Sequence, residues 1–211
     1  MPVDELASLI VHKVTCFIIR QCEQGCELLL FQHPNAGIQI TAGTANPNEE
    51  PEHAARREEL EESGLQSLKL LRWLGDEPDP LPTGHVCIAY PTLVYARPDL
   101  NSFDWVHFPT GLMVEELRHV EDFTLVRYEE KDDYFNPQYA TYSITGWVPI
   151  QALTEQRLRH FYLFETPSET PQRWSIVVDK HVFELFWAPI SHLPGIIHPQ
   201  DGWVKWIAGL M

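Results

Sequence analysis

Cysteine and positive charge are both scarce in this chain. Four cysteines in 211 residues, Cys16, Cys22, Cys26 and Cys87, make no disulfide framework for a protein of this length. Cys22 and Cys26 flank a Glu-Gln-Gly turn, and no second pair completes a zinc site. No apolar run has the length needed to span a bilayer. The opening residues, MPVDELASLI, carry acidic side chains and lack the basic start of a secretory signal. Fifteen Lys and Arg stand against 30 Asp and Glu, for a net charge of −15. That disfavours long nucleic acid as a partner, because affinity for its phosphates rests on basic contacts. A small phosphorylated substrate stays open, since bound cations reverse the local sign. The absences point to a reduced, soluble, cytoplasmic protein with no membrane partner. Core material is plentiful: 44% of the residues are hydrophobic and 11% aromatic.

The acidic residues are spaced as well as abundant. In Gly43 to Leu65, GTANPNEEPEHAARREELEESGL, Glu49 stands in a Pro/Asn loop, and Arg57, Glu58, Glu61 and Glu62 follow within six residues. A helix turns about 100° per residue, so Glu58, Glu61 and Glu62 share roughly 100° of arc. Three like charges on one face repel, and a divalent cation held by oxygen ligands offsets that repulsion. Such a site suits diphosphate chemistry, in which Mg²⁺ bridges phosphate oxygens and activates a water.

Around this stretch the pattern predicts alternating elements. VHKVTCFIIR (11–20), ELLLFQH (27–33) and GIQITAG (37–43) read as strands, the last delivering Gly43. A helix begins at Pro51 and stops at Gly64. LKLLRWLG (68–75), HVCIAYPTLVYA (85–96), FTLVRYEE (123–130), YATYSITGWVPI (139–150), RHFYLFET (159–166), RWSIVVD (173–179) and HVFELFWAPI (181–190) read as extended. The tail, DGWVKWIAGLM, places Trp203, Trp206 and Ile207 at helical spacing. The order predicts an α+β or α/β layered domain interrupted by a β-rich module.

The stretch closely resembles the Nudix box of the Nudix hydrolases, a glycine, a glutamate six residues on, then Arg-Glu and Glu-Glu at fixed gaps before a closing glycine. Gly43, Glu49, Arg57, Glu58, Glu61, Glu62, Gly64 and Leu65 all fall in register. The departure is Glu59, where the family has an apolar residue facing the core. A carboxylate there costs burial energy or needs a partner, unless a small rotation lets Leu60 pack instead. Asn46 is a softer departure, at a loop position where many members carry Glu.

The resemblance implies an α/β/α sandwich with a mixed sheet, formed by residues 1–87 and 158–211, with 88–157 as an inserted β-rich module. It implies a Mg²⁺-dependent (or Mn²⁺-dependent) enzyme that cleaves the pyrophosphate bond of a nucleoside diphosphate linked to another moiety, by water attack on phosphorus. Glu58, Glu61 and Glu62 would ligate the metal, with the Gly43 carbonyl joining them, or Glu58 would serve mainly as base. Arg57 would pair with Glu49 to hold the loop against the helix, and Gly64 would close it. Glu165, Glu169 and Glu184 are candidates for a further ligand or base outside the box. A homodimer is compatible with the insert. GWVPIQAL (146–153) weakly resembles the closing segment of Src-homology-3-like barrels, and an ordinary hairpin extension explains it equally well.

Two other functions fit parts of the sequence. A catalytically inactive Nudix-fold module binding a nucleotide or a protein is supported by Glu59. An isomerase acting on an allylic diphosphate would want a nucleophilic cysteine, for which Cys87 is the candidate. Trp105, Trp147, Trp174 and Trp187 lie in strand-like segments and read as core rather than base-stacking residues. His53 reads as solvent-facing, and His181, His192 and His198 form no ligand spacing.

Overall fold

Strand β1 (Ile10–Cys22) is buried on both faces, as expected of a near-continuous apolar run. The computed structural model describes residues 9–23, 25–132, 136–166, 169–178 and 181–210. Residues 1–8, most of the segment read for a secretory signal, lie outside the described residues, as do Gln24 in the Cys22–Cys26 turn and Asp179 at the end of one expected strand. After β1 come β2 (Gly25–His33), β3 (Gly37–Gln39), β4 (Ala42–Thr44), helix α1 (Pro51–Ser63) and β5 (Lys69–Pro78). The middle of the chain gives β6 (His85–Ile88), β7 (Thr92–Tyr95), β8 (Asp104–Phe108), β9 (Met113–Val120), β10 (Phe123–Asp132), β11 (Asn136–Pro149) and β12 (Leu153–Thr154). The last strands are β13 (Gln156–Glu165), β14 (Arg173–Val178) and β15 (His181–Pro189), followed by a 3₁₀ helix at Gln200–Leu210.

The strands form two sheets, and the fold is mostly β. The first has eight strands, ordered β14-β15-β2-β1-β13-β5, with β3 on β2 and β4 on β1. It is mixed: β1 and β13 run parallel, and the other pairings are antiparallel. Residues between β1 and β13 therefore make one long crossover, and it contains α1 and the whole second sheet. That sheet has seven strands, ordered β12-β6-β9-β10-β11-β7-β8. Val86, Ile88, Val94, Phe108, Val114, Val126, Ile144 and Val148 give it a core of its own.

Alternation along β1 sets the layers. Val14, Cys16 and Ile18 face α1 and pack with its Ala54 and Ala55. Phe17 and Ile19 face the other way, onto Phe161, Trp203 and Ile207. The layer on that second side is the 3₁₀ helix, which stands where the expected sandwich has another α-helix; α1 is the single α-helix among the described residues. The spacing of its tryptophans explains the difference. Side chains at i and i+3 eclipse in a 3₁₀ helix, and this brings both Trp203 and Trp206 onto the Phe161 ring, at centroid distances of 6.2 and 4.8 Å.

β8 and β9 lie in a stretch for which the sequence predicted no strand. MVEELRHV is charged and mostly exposed past Val114, so its strand conformation comes from pairing with β6 and β10, and not from a periodic apolar face. The segment 146–153 ends β11, makes a short 3₁₀ turn at Ile150–Ala152 and enters β12. That arrangement does not by itself identify a Src-homology-3-like barrel.

Gly75 marks a register shift in β5, opposite Phe161. Its φ is +142°, and a Cβ there would lie 2.6 Å from Trp206 Cζ3. Gly75→Ala should therefore cost about 1–3 kcal/mol by pushing Trp206 off Phe161. Thermal unfolding measures this, and an unchanged Tm would contradict the packing.

Candidate active site

The box runs from β4 through a loop into α1. Asn48 takes a left-handed φ of 65°, and the loop closes on itself through Glu49 N–H to Asn46 O at 2.9 Å. The Asn46 amide donates to Glu49 Oε2 at 2.7 Å, so Asn46 serves the loop through its backbone. Pro51 opens the helix, and Gly64 ends it with φ 67° and an amide bonded to Leu60 O. Trp174 Nε1 donates to Ser63 O at 3.0 Å, satisfying a carbonyl at the helix end.

Arg57 ties loop, strand and helix together. Its Nε and Nη2 bond both oxygens of Glu49, at 3.1 and 2.9 Å, and Nη2 also donates to Thr44 O at 3.0 Å. Its Nη1 donates to Glu58 Oε1 at 2.9 Å and to Glu61 Oε2 at 3.2 Å. The hydrogen bond from Arg57 holds the Glu49 carboxyl below its ordinary range. The same bonds raise the Arg57 guanidinium, Glu49 contributing most.

The glutamates gather around β4. Thr44 N–H donates to Glu58 Oε1 at 3.2 Å, and Ala42 N–H donates to Glu62 Oε2 at 3.0 Å. Gly43 lies between them, and a Cβ there would fall 1.9 Å from Glu58 Cδ. Only glycine leaves room for that carboxylate. Glu61 projects furthest, its side chain 53% exposed against 13% for Glu58.

Gly43's own carbonyl does not take the place expected for it. The bonds Ala45 N–H to His12 O and Cys16 N–H to Thr41 O make Val14↔Gly43 the hydrogen-bonded pair of this ladder. That register turns the Gly43 carbonyl toward the Val14 amide. The carbonyls directed away from β1 belong to Ala42 and Thr44, and Thr44's accepts from Arg57.

Among the described residues no three His, Cys, Asp or Glu side chains converge as a ready metal cluster. Arg57 holds Glu58 and Glu61, and strand amides hold Glu58 and Glu62. The donor set nevertheless fits a hard divalent cation. It is all oxygen, and the space over Gly43 that a Cβ would fill brings a carboxylate against the strand.

Glu59 is on the core face of α1, 6% exposed, while Leu60 is 48% exposed. The rotation that would bury Leu60 does not occur. Glu59 Oε2 is buried with no hydrogen-bond partner, and burial pushes the carboxyl from 4.5 up to about 7, with Arg56 pulling weakly the other way.

The remaining candidates lie apart from the box. Glu165 pairs with Ile19, five positions along β1 from the Val14 opposite Gly43, roughly 16 Å away at strand rise. Glu184 pairs with Gln32 on the exposed side of β15, and Glu169 is exposed in the loop ahead of β14. Cys87 is buried, and burial raises its thiol, which does not suit a nucleophile. His53 is exposed, and Trp147 and Trp187 are buried, in keeping with the expected roles, whereas Trp105 is 44% exposed and stacks on the exposed Phe103 instead of joining the core.

Sequence reasoning missed Thr44 and Lys13. Thr44 N–H reaches Glu58, its carbonyl accepts from Arg57, and its hydroxyl accepts from Lys13 Nζ at 2.5 Å. The available signal was a lysine in the middle of an apolar strand, paired across the sheet with an arginine, Arg159.

Residues 11–104 match the NUDIX domain family. The match starts in β1, contains the box and ends at the first residue of β8. It bears out the resemblance read from the box and, with it, the expected class of enzyme, a Nudix pyrophosphohydrolase. No curated protein matches the chain. Among solved structures, a C. elegans Ap4A hydrolase in a binary complex aligns over 95% of this chain and 96% of its own, with 12% identity and a TM-score of 0.40. A likeness that distant carries no functional argument.

Replacing Glu59 by Leu should stabilise the protein by roughly 1–3 kcal/mol near neutral pH, because it removes an unpartnered buried carboxylate. The sign with pH follows from the raised carboxyl. Between pH 4.5 and about 7 the folded chain binds more protons at Glu59 than the unfolded one, so stability falls as pH rises through that window. The gain from Glu59→Leu should be larger at pH 8 than at pH 5 in EDTA, read from Tm. Equal gains at both would contradict it.

Proposed function

We propose that this protein is a Mg²⁺- or Mn²⁺-dependent hydrolase of a nucleoside diphosphate joined to another moiety, cleaving its pyrophosphate bond by water attack on phosphorus. The observation that carries the reading is the pair of carboxylates set on either side of Gly43, Glu58 at the Thr44 amide and Glu62 at the Ala42 amide. Glu58, Glu61 and Glu62 would hold the cation, with the Ala42 carbonyl turned away from β1 beside them. A bound divalent cation would draw charge from the diphosphate oxygens and favour attack at phosphorus. Arg57 keeps Glu58 and Glu61 in place while it closes the loop on Glu49. Glu58 or Glu61, the latter the most exposed of the three, would take a proton from the attacking water.

We assign one flanking moiety of the substrate to the loops of the second sheet, the inserted module. Ala89, Tyr90 and Thr110 share a cavity of about 430 Å³ with His12, Glu49 and the box loop. That all four cysteines are free supports a reducing compartment such as the cytoplasm. A second reading, an inactive binding module, draws support from the ion pairs that already engage Glu58 and Glu61.

Hydrolysis of a panel of nucleoside diphosphate compounds with Mg²⁺ or Mn²⁺ separates the two. Wild type should release phosphate-containing product only with metal. The double variant Glu61→Gln, Glu62→Gln should lose at least about 100-fold in rate while keeping its circular dichroism and Tm. Full activity in that variant would refute the assignment, and no turnover in wild type would favour the inactive module.

A further inference from the structure

A second cavity, of about 670 Å³, opens on the sheet face opposite α1. Its walls include Lys13, Asp79, Arg157, Arg159, Trp203 and Lys205. The register builds it: Lys13 pairs with Arg159 and Val11 with Arg157 across parallel β1 and β13, so the three cations share one face. In a chain of net charge −15, this is a local reversal of sign.

The cations are not matched. Lys205 pairs with Glu77 at 2.6 Å. Arg157 and Arg159 share the single carboxylate of Asp79, at 3.3 and 3.0 Å, and Lys13 donates only to the neutral Thr44 hydroxyl among the described residues. Lys13, Arg157 and Arg159 against Asp79 leave two positive charges in excess. Arg159 is 7% exposed, stacked 4.0 Å from the Trp203 ring centroid. Its Nη atoms are bonded to Val14 O, Thr15 Oγ1 and Asp79 Oδ2, whereas its Nε is buried with no partner. Arg157 directs its donors to Asp79 O and Pro80 O, so it contributes charge more than free protons. Burial first, then Arg159 and Arg157, pull the Lys13 ammonium from 10.5 down to about 8, with Cys87 and Asp79 opposing.

Two excess charges and two sets of available donors, on Lys13 and at Arg159 Nε, suit a dianion better than a carboxylate. Thr44, itself inside the box, links that dianion to Glu58, since its hydroxyl meets Lys13 and its amide meets Glu58. We propose that this cavity binds a dianionic terminal phosphate of the substrate, so that the preferred compounds carry a phosphate monoester beyond the scissile diphosphate. The proposal rests on the hydrolase reading given above. It fixes the substrate class through residues outside the box.

Two measurements test it. The first is calorimetric titration of inorganic phosphate in EDTA, so that the metal plays no part. Wild type and the Glu61→Gln, Glu62→Gln variant should bind alike, and Lys13→Gln should bind at least about 10-fold more weakly, with folding checked by Tm. The second is KM for matched substrates with and without a terminal phosphate monoester. The phosphorylated one should have the lower KM in wild type, and the ratio should collapse toward one in Lys13→Gln. Equal phosphate binding in wild type and Lys13→Gln, or none in wild type, would overturn the cavity assignment while leaving metal-dependent turnover intact. Phosphate binding lost in Lys13→Gln without any KM preference in wild type would overturn the substrate assignment, the ligand then being free phosphate. Absence of turnover on every compound would remove the hydrolase reading instead, and the metal-free titration would still decide whether the cavity binds phosphate.

Discussion

Arg57 donates at once to Glu49, to the Thr44 carbonyl, to Glu58 and to Glu61. One guanidinium thus joins the loop, the strand that enters it and the helix that leaves it. A planar group with donors in a fixed fork can hold three elements in one geometry where a lysine cannot. Glu49 is what orients the fork, and the Asn46 amide orients Glu49 in turn. An ion-pair network of this kind fixes geometry more than it adds stability, and the geometry it fixes is the carboxylate arrangement over Gly43.

The sheet supplies the support. β1 is packed on both faces, so β4, hydrogen-bonded beside it, has a rigid reference. One side of the sheet carries α1 with its glutamates; the other carries Trp203, Trp206 and the basic cavity. Thr44 connects the two sides through its amide and hydroxyl. The second sheet closes over this hinge of contacts: a Cβ on Gly111 would lie 2.6 Å from Thr44 Cγ2. A strand of three residues, β4, therefore touches the helix glutamates, the basic cavity and the second sheet.

Much of this was legible in the sequence, and unevenly so. The box is local: its gaps encode the helix phase, so Glu58, Glu61 and Glu62 could be placed on one face from the sequence, and the resemblance added Gly43 beside them. The strands with apolar alternation were equally plain. MVEELRHV was not, because its strand conformation comes from neighbours far along the chain. The tail looked like an α-helix because Trp203, Trp206 and Ile207 fit a 3.6-residue period, whereas packing on Phe161 selected the 3₁₀ form. Glu59 was visible as a departure, but its burial follows from α1 keeping its phase against Cys16 and Ala55. The basic cavity depends on parallel pairing of residues about 145 apart, which no local pattern reveals.

On the proposed reading, Arg57 positions Glu58 and Glu61 for a cation even though its own charge repels one. Mn²⁺ affinity of Arg57→Gln against wild type, measured by electron paramagnetic resonance of free Mn²⁺, separates position from charge. Loss of positioning predicts binding weaker by about 10-fold or more. Unchanged or tighter binding, the result expected if Arg57 acted only as a neighbouring positive charge, would rule out the positioning role.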